Sequence, residues 1–242
     1  GGTRDVGDVI NSWTAPSPIS LAWGVGCDFD NLFITDPLAA PTTVYEVDFD
    51  GAMTGNTITV SLGQSWVGDM ASDGSYLYCC LVGGPNTIAV IDLADGSLVG
   101  QINGAWTITS QRGLGYDMNN DEFYIGGWNS DMIWRVDGTG ATISSTPFMS
   151  VSGLEWHPMG GPDQEGSLWV GENSPTDAVT EVDPNAGWVT LQSFTLPGSS
   201  GYSAAGAGLD PSGALWLANQ SANTMYLVDL EQPYSGGGPG DW

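Results

Sequence analysis

Carboxylates are the groups this chain has in number for chemistry. It carries 28 Asp and Glu against three basic residues, Arg4, Arg112 and Arg135, with one histidine and no lysine. Asp69 and Glu155 fall at what reads as one repeated position of an inner strand, where Ala22, Gly115 and Gly208 stand in the other copies. Two carboxyls across a narrow gap can hold a cation or act as an acid–base pair. Hydrated acids lining a pore are the first expectation, and catalysis is the alternative.

Asp117-x-Asn119-x-Asp121 has the spacing of the first half of a calcium loop. The full pattern wants Gly at its sixth place and Glu at its twelfth, where this chain has Glu122 and Trp128. A plain turn is expected, with an irregular calcium site as the alternative. Asp28-Phe29-Asp30-Asn31 is read the same way. His157 lacks the companions of a zinc site and the Gly-x-Ser-x-Gly elbow of a serine hydrolase, so it reads as a turn residue. Cys27, Cys79 and Cys80 are an odd number of thiols. Cys79 and Cys80 adjoin on an expected strand and should point to opposite faces. Either all three are free thiols or Cys27 bridges one of the pair. Asn219-Gln220-Ser221 is a formal glycosylation sequon in an expected loop.

A repeat must position these groups. An apolar–aromatic motif recurs with its ring at Phe33, Tyr78, Tyr124, Trp169 and Trp216, in steps of 45, 46, 45 and 47 residues. A second motif ends at Asp48, Asp92, Asp137, Asp183 and Asp229 with the same rhythm. Each period holds four strands, here named a to d. Strand a is placed on Leu21–Trp23, Gly68–Met70, Leu114–Tyr116, Leu154–Trp156 and Ala207–Leu209, strand b on the aromatic motif and strand c on the segment ending in Asp. Gly51, Gly96, Gly140 and Gly187 close the turns that follow strand c. Four short strands per period of about 45 residues is the blade pattern of a propeller. The last repeat has no strand d, and residues 7–13 have the character of one. The expected fold is an all-β, five-bladed propeller over residues 1–235, closed by the N-terminal segment, with a glycine-rich tail at 236–242. The blades fall at about 14–62, 63–103, 104–149, 150–195 and 196–230 plus 7–13.

The segment from Tyr78 to Ile102, centred on Asn86-Thr87-Ile88-Ala89-Val90-Ile91-Asp92, resembles the YVTN type of propeller repeat. Leu209 to Asn219 is similar to both YVTN and NHL repeats. The resemblance implies architecture rather than a single activity: such propellers serve as bacterial and archaeal surface proteins, binding modules and some lyases. Five-bladed glycosidases place acids on innermost strands in sets of three, and this chain offers two. Ligands of propellers usually sit on the face formed by the d-to-a and b-to-c connections. Trp66, Trp106, Trp128 and Tyr202 fall there, as candidates for stacking on sugar rings or docking another copy, or as blade-end caps. Trp23, Trp156, Trp169 and Trp216 take repeat positions and are expected in the core.

A net charge of −25 disfavours nucleic acid and anionic membranes as partners. No segment has the length and apolarity to span a bilayer. Gly1-Gly2-Thr3 reads as the start of a processed product, and an extracellular or cell-surface setting is expected. A glycine-rich tail needs something to hold it, and a neighbouring copy gripping Trp242 is one clamp. The expected function is a non-enzymatic, self-assembling filament or surface-layer subunit. A carbohydrate-binding module is the second reading. A lyase or glycosidase using Asp69 and Glu155 is the third.

Overall fold

The computed structural model describes residues 4–38, 43–64 and 66–232. Trp242 and the rest of the 236–242 tail lie outside them. The described residues form five sheets of four antiparallel strands. The first blade comprises β2 (Val25–Cys27), β3 (Asn31–Thr35), β4 (Thr43–Asp48) and β5 (Met53–Thr59). The second has β6 (Trp66–Ser72), β7 (Tyr76–Val82), β8 (Ile88–Asp92) and β9 (Leu98–Ile102). The third has β10 (Gly113–Asp117), β11 (Glu122–Gly127), β12 (Met132–Asp137) and β13 (Thr142–Pro147). The fourth has β14 (Val151–His157), β15 (Ser167–Glu172), β16 (Ala178–Asp183) and β17 (Val189–Thr195). The fifth has β18 (Ala204–Leu209), β19 (Leu215–Asn219) and β20 (Thr224–Val228), and its outer strand is β1 (Val9–Thr14). β1 pairs with β20 from Val9↔Val228 to Thr14↔Thr224, so the start of the chain completes the last blade and closes a five-bladed propeller.

The b strands are apolar without alternation because a neighbouring blade covers each side of the sheet. Leu32, Phe33 and Ile34 of β3 are all buried, while outer strands such as β9 and β13 are largely exposed. Cys79 packs with Val67 and Phe33, and Cys80 with Leu114 and Ile125 in the next interblade cluster. The two side chains therefore do point apart. All three cysteines are free thiols, Cys27 being partly exposed. The recurrent Asp at the end of strand c is a turn former. Oδ1 of Asp48, Asp92, Asp137, Asp183 and Asp229 accepts backbone N–H groups from the turn or segment that follows.

Two placements differ from the sequence expectation. Strand a of the first blade is Val25–Cys27, not Leu21–Trp23, because Gly26 is the residue opposite Phe33. Asp69 and Glu155 do not share a position. Glu155 pairs with Trp169, and its counterparts are Gly26, Ala71, Gly115 and Gly208. Asp69 lies two residues nearer the start of its strand, inside a bulge between Val67 and Met70. The a-to-b turns differ in length between blades, so spacing to the aromatic motif does not fix the level along the axis.

Candidate functional site

At the level of Asp69 the other blades carry Gly24, just before β2, and Gly113, Gly153 and Gly206 in their inner strands. The strands approach so closely that a Cβ on Gly24 would lie 1.9 Å from the Gly68 carbonyl oxygen. One side chain fits in this layer, and it is Asp69, which is fully buried. Its Oδ1 accepts the Val25 N–H at 3.0 Å and the Ala207 N–H at 3.2 Å, and Oδ2 accepts the Leu154 N–H at 2.9 Å. Asp69 thus ties blade 2 to blades 1, 4 and 5. Burial pushes its carboxyl up in pKa, against the pull of these N–H groups. The layer is a plug and not the hydrated pore expected from the sequence.

Arg112 closes the axis on the face made by the d-to-a and b-to-c connections, here the loop face. Its guanidinium lies 4.6 Å from the Trp23 ring centroid and donates to Gln220 Oε1 at 2.8 Å. Burial lowers its pKa to about 10 while Asp69 pulls it upward. Trp23, expected in the core, is partly exposed and meets Trp66 edge to face at 6.3 Å. Trp66 Nε1 donates to Pro37 O and Trp128 Nε1 to Asn173 O, so both half-exposed indoles are fixed in orientation. Tyr202 is exposed in the d-to-a connection between β17 and β18. Trp106 departs from expectation. It belongs to a short 3-10 helix, Ala105–Ile108, is fully buried between blades 2 and 3, and donates to Gly140 O. It cannot stack on a ligand.

On the opposite face, formed by the a-to-b and c-to-d turns, the five inner strands splay into a cleft with a cavity volume of about 80 Å³. Glu155 lines it with Cys27, Asp28, Phe29, Asp117 and Leu209. Glu155 is 8% exposed, and accepts the Trp156 N–H at 2.9 Å and the Leu209 N–H at 3.1 Å. Burial raises its pKa to about 8. Sequence reasoning found Glu155 but not the turn-face cleft that it lines. It missed Arg112 and Trp23, for which the scarcity of cations was the available signal.

The remaining candidates are turn and core groups. Asp117 is buried and accepts from Asn119 N and Asn120 Nδ2, while Asp121 accepts from the Tyr116 hydroxyl. Among the described residues no group of three or more His, Cys, Asp or Glu is placed to hold a metal. His157 is the last residue of β14, not a turn residue; it is buried, accepts the Met159 N–H at Nδ1, and is held by burial near a pKa of 4. Asn219 is buried with its amide donating to Pro197 O and Gly198 O, a poor glycan acceptor.

No protein-family model matches this chain, and no curated protein matches it. The YVTN and NHL likeness therefore remains one of repeat residues. Among solved structures, the glutaminyl cyclase of Myxococcus xanthus matches with a TM-score of 0.65 at 15% identity, over 94% of this chain and 97% of that one. A chain of the mitotic checkpoint complex matches at 0.53, with 16% identity over 85% and 63% of the two chains. A streptogramin B lyase matches at 0.53, with 13% identity over 89% and 67%. At these identities the likeness is one of fold.

Proposed function

We propose that this chain is a non-enzymatic, self-assembling extracellular subunit that docks through its loop face onto a second copy of itself. The observation that carries the reading is a segregation of side chains. None of the five d-to-a connections contains Asp or Glu, whereas all five a-to-b turns do: Asp28 and Asp30, Asp73, Asp121, Asp163 and Glu165, and Asp210; of the b-to-c acids Asp36, Asp131 and Asp177 on the loop face, Asp36 and Asp177 are buried. On the loop face Leu38, Trp66, Ile108, Trp128, Met149 and Tyr202 stand exposed, Ile108 at 87% and Met149 at 70%. Large apolar groups collected on one face support a protein contact. Charge supports a copy of the same chain in a face-to-face pair. Loop face against loop face turns both acidic faces outward, which keeps their like charges farthest apart. A filament needs a second contact, for which the 236–242 tail with Trp242 is the candidate in the sequence.

Sedimentation velocity tests this reading. The wild-type chain is expected to pair reversibly in the micromolar range, and Trp66→Ser with Trp128→Ser to weaken pairing by about two orders of magnitude, as loss of two aromatic anchors does. A chain that stays monomeric at all concentrations, or pairs equally well with both indoles removed, contradicts it.

A carbohydrate-binding reading has its own support in the two anchored indoles, because a fixed, half-exposed ring suits stacking on a sugar. Saturable glycan binding lost with the same substitutions would favour it. The names of the cyclase and lyase neighbours raise an enzymatic reading, but Asp69 is engaged by three backbone N–H groups and lies off the level of Glu155, so the pair is not proposed as a catalytic dyad.

A further inference from the structure

We propose that the turn-face cleft binds a small organic ammonium ion, its charged head against Glu155 and its carbon body against Phe29, Met118 and Leu209. The inference is independent of the loop-face reading. The cleft combines a nearly buried carboxyl with apolar walls from all five blades. Both hydrogen-bond partners of Glu155 are N–H donors. Among the described residues its O–H, when protonated, therefore has no acceptor, and its carboxylate, when ionised, has no cation partner. Either state leaves an unmet need that points into the cleft.

The surroundings select the sign of the ligand. Asp28 also lines the cleft, with Oδ1 engaged by the Asp30 and Asn31 N–H groups. Burial raises its pKa as well. Asp117 is present from blade 3, Asp210 from the turn of blade 5 acts on the neighbouring Cys27 thiol, and Asp69 lies deeper on the axis. Among the described residues the charged groups that line the cleft are all acidic, so an anion is repelled. Phe29 and Tyr116 also line the cleft, the Tyr116 ring being stacked on Phe123 at 4.3 Å. About 80 Å³ suits a short alkyl chain.

The test is calorimetry of the whole chain with n-butylammonium chloride, against n-butanol and sodium butyrate, at pH 6.5 in buffers of different ionisation enthalpy. The expected result is saturable binding of butylammonium, at least roughly tenfold weaker binding of butanol, and no binding of butyrate. Binding draws Glu155 into its ionised form, so about one proton is released per ion bound. Glu155→Gln is expected to lose the proton release and roughly tenfold in affinity, while Asp28→Asn keeps the release. Should Glu155→Gln not fold, slowed alkylation of Cys27 in the wild-type chain by butylammonium reports the same site. No saturable binding to the wild-type chain overturns the proposal. So does equal binding of butanol, unchanged behaviour of a folded Glu155→Gln variant, or equal competition by potassium or calcium.

Discussion

Asp69 and Glu155 are both buried carboxyls near the axis, with pKa values raised by burial, and they differ in their partners. Asp69 gathers three N–H groups from three other blades, and these oppose the rise in pKa that burial causes. Asp69→Asn keeps the size but turns an NH2 toward those donors. It is expected to lower the free energy of unfolding by about 3 kcal/mol or more in urea titrations near neutral pH. Glu155 has fewer N–H partners and a pKa raised from 4.5 to about 8. For a carboxyl raised on folding, stability is full below the unfolded pKa and falls as pH rises towards the folded one. The stability of the wild-type chain relative to Glu155→Gln should therefore decline between about pH 4.5 and pH 8, by on the order of 4–5 kcal/mol, and level off above. A flat difference across that range contradicts the assignment. Taking the difference cancels the opposite pH trend expected from buried His157, whose pKa is lowered to about 4.

Between elements, the recurring joint is the far end of an outer strand against the c-to-d turn of the next blade. Trp13, in β1, donates to Phe49 O and packs 5.5 Å from the Trp216 ring. Trp106, just after β9, donates to Gly140 O. Trp13→Ala and Trp106→Ala should each cost about 3–5 kcal/mol. Trp13→Ala should also raise hydrogen exchange in β1 and β20 above that of the other blades, because it loosens the closure strand. Equal exchange in all five blades would argue against that role. These elements were legible in the sequence to different degrees. Motifs fixed by turn chemistry or interblade burial, the strand c Asp and the strand b aromatic, stood out, and so did the missing strand at the end. The joint did not, because the sequence alone gave Trp106 as a loop residue with no sign that a glycine turn of the next blade covers it. Strand a was misplaced in blade 1 for a related reason. Glycines chosen by backbone approach carry no apolar pattern, and turn lengths vary between blades. The level of Asp69 and the cleft at Glu155 depend on that register and were hidden with it.

Over the whole molecule the −25 charge is distributed by topology. Antiparallel alternation sends the Asp-closed a-to-b turns to one side of the ring and the acid-free d-to-a connections to the other, where the b-to-c connections add Asp36, Asp131 and Asp177. One face is left strongly anionic around a cleft suited to a cation, and the other carries fixed indoles and bare aliphatic groups. The central claim is that the second face meets a copy of itself. Hydrogen exchange by mass spectrometry, compared between dilute and concentrated chain, tests it most directly. Protection should grow with concentration in segments 103–112, 127–131, 148–150 and 199–203, and stay constant in the turns at 28–30, 73–75 and 118–121. Concentration-dependent protection in those turns, or none on the loop face, would contradict the account.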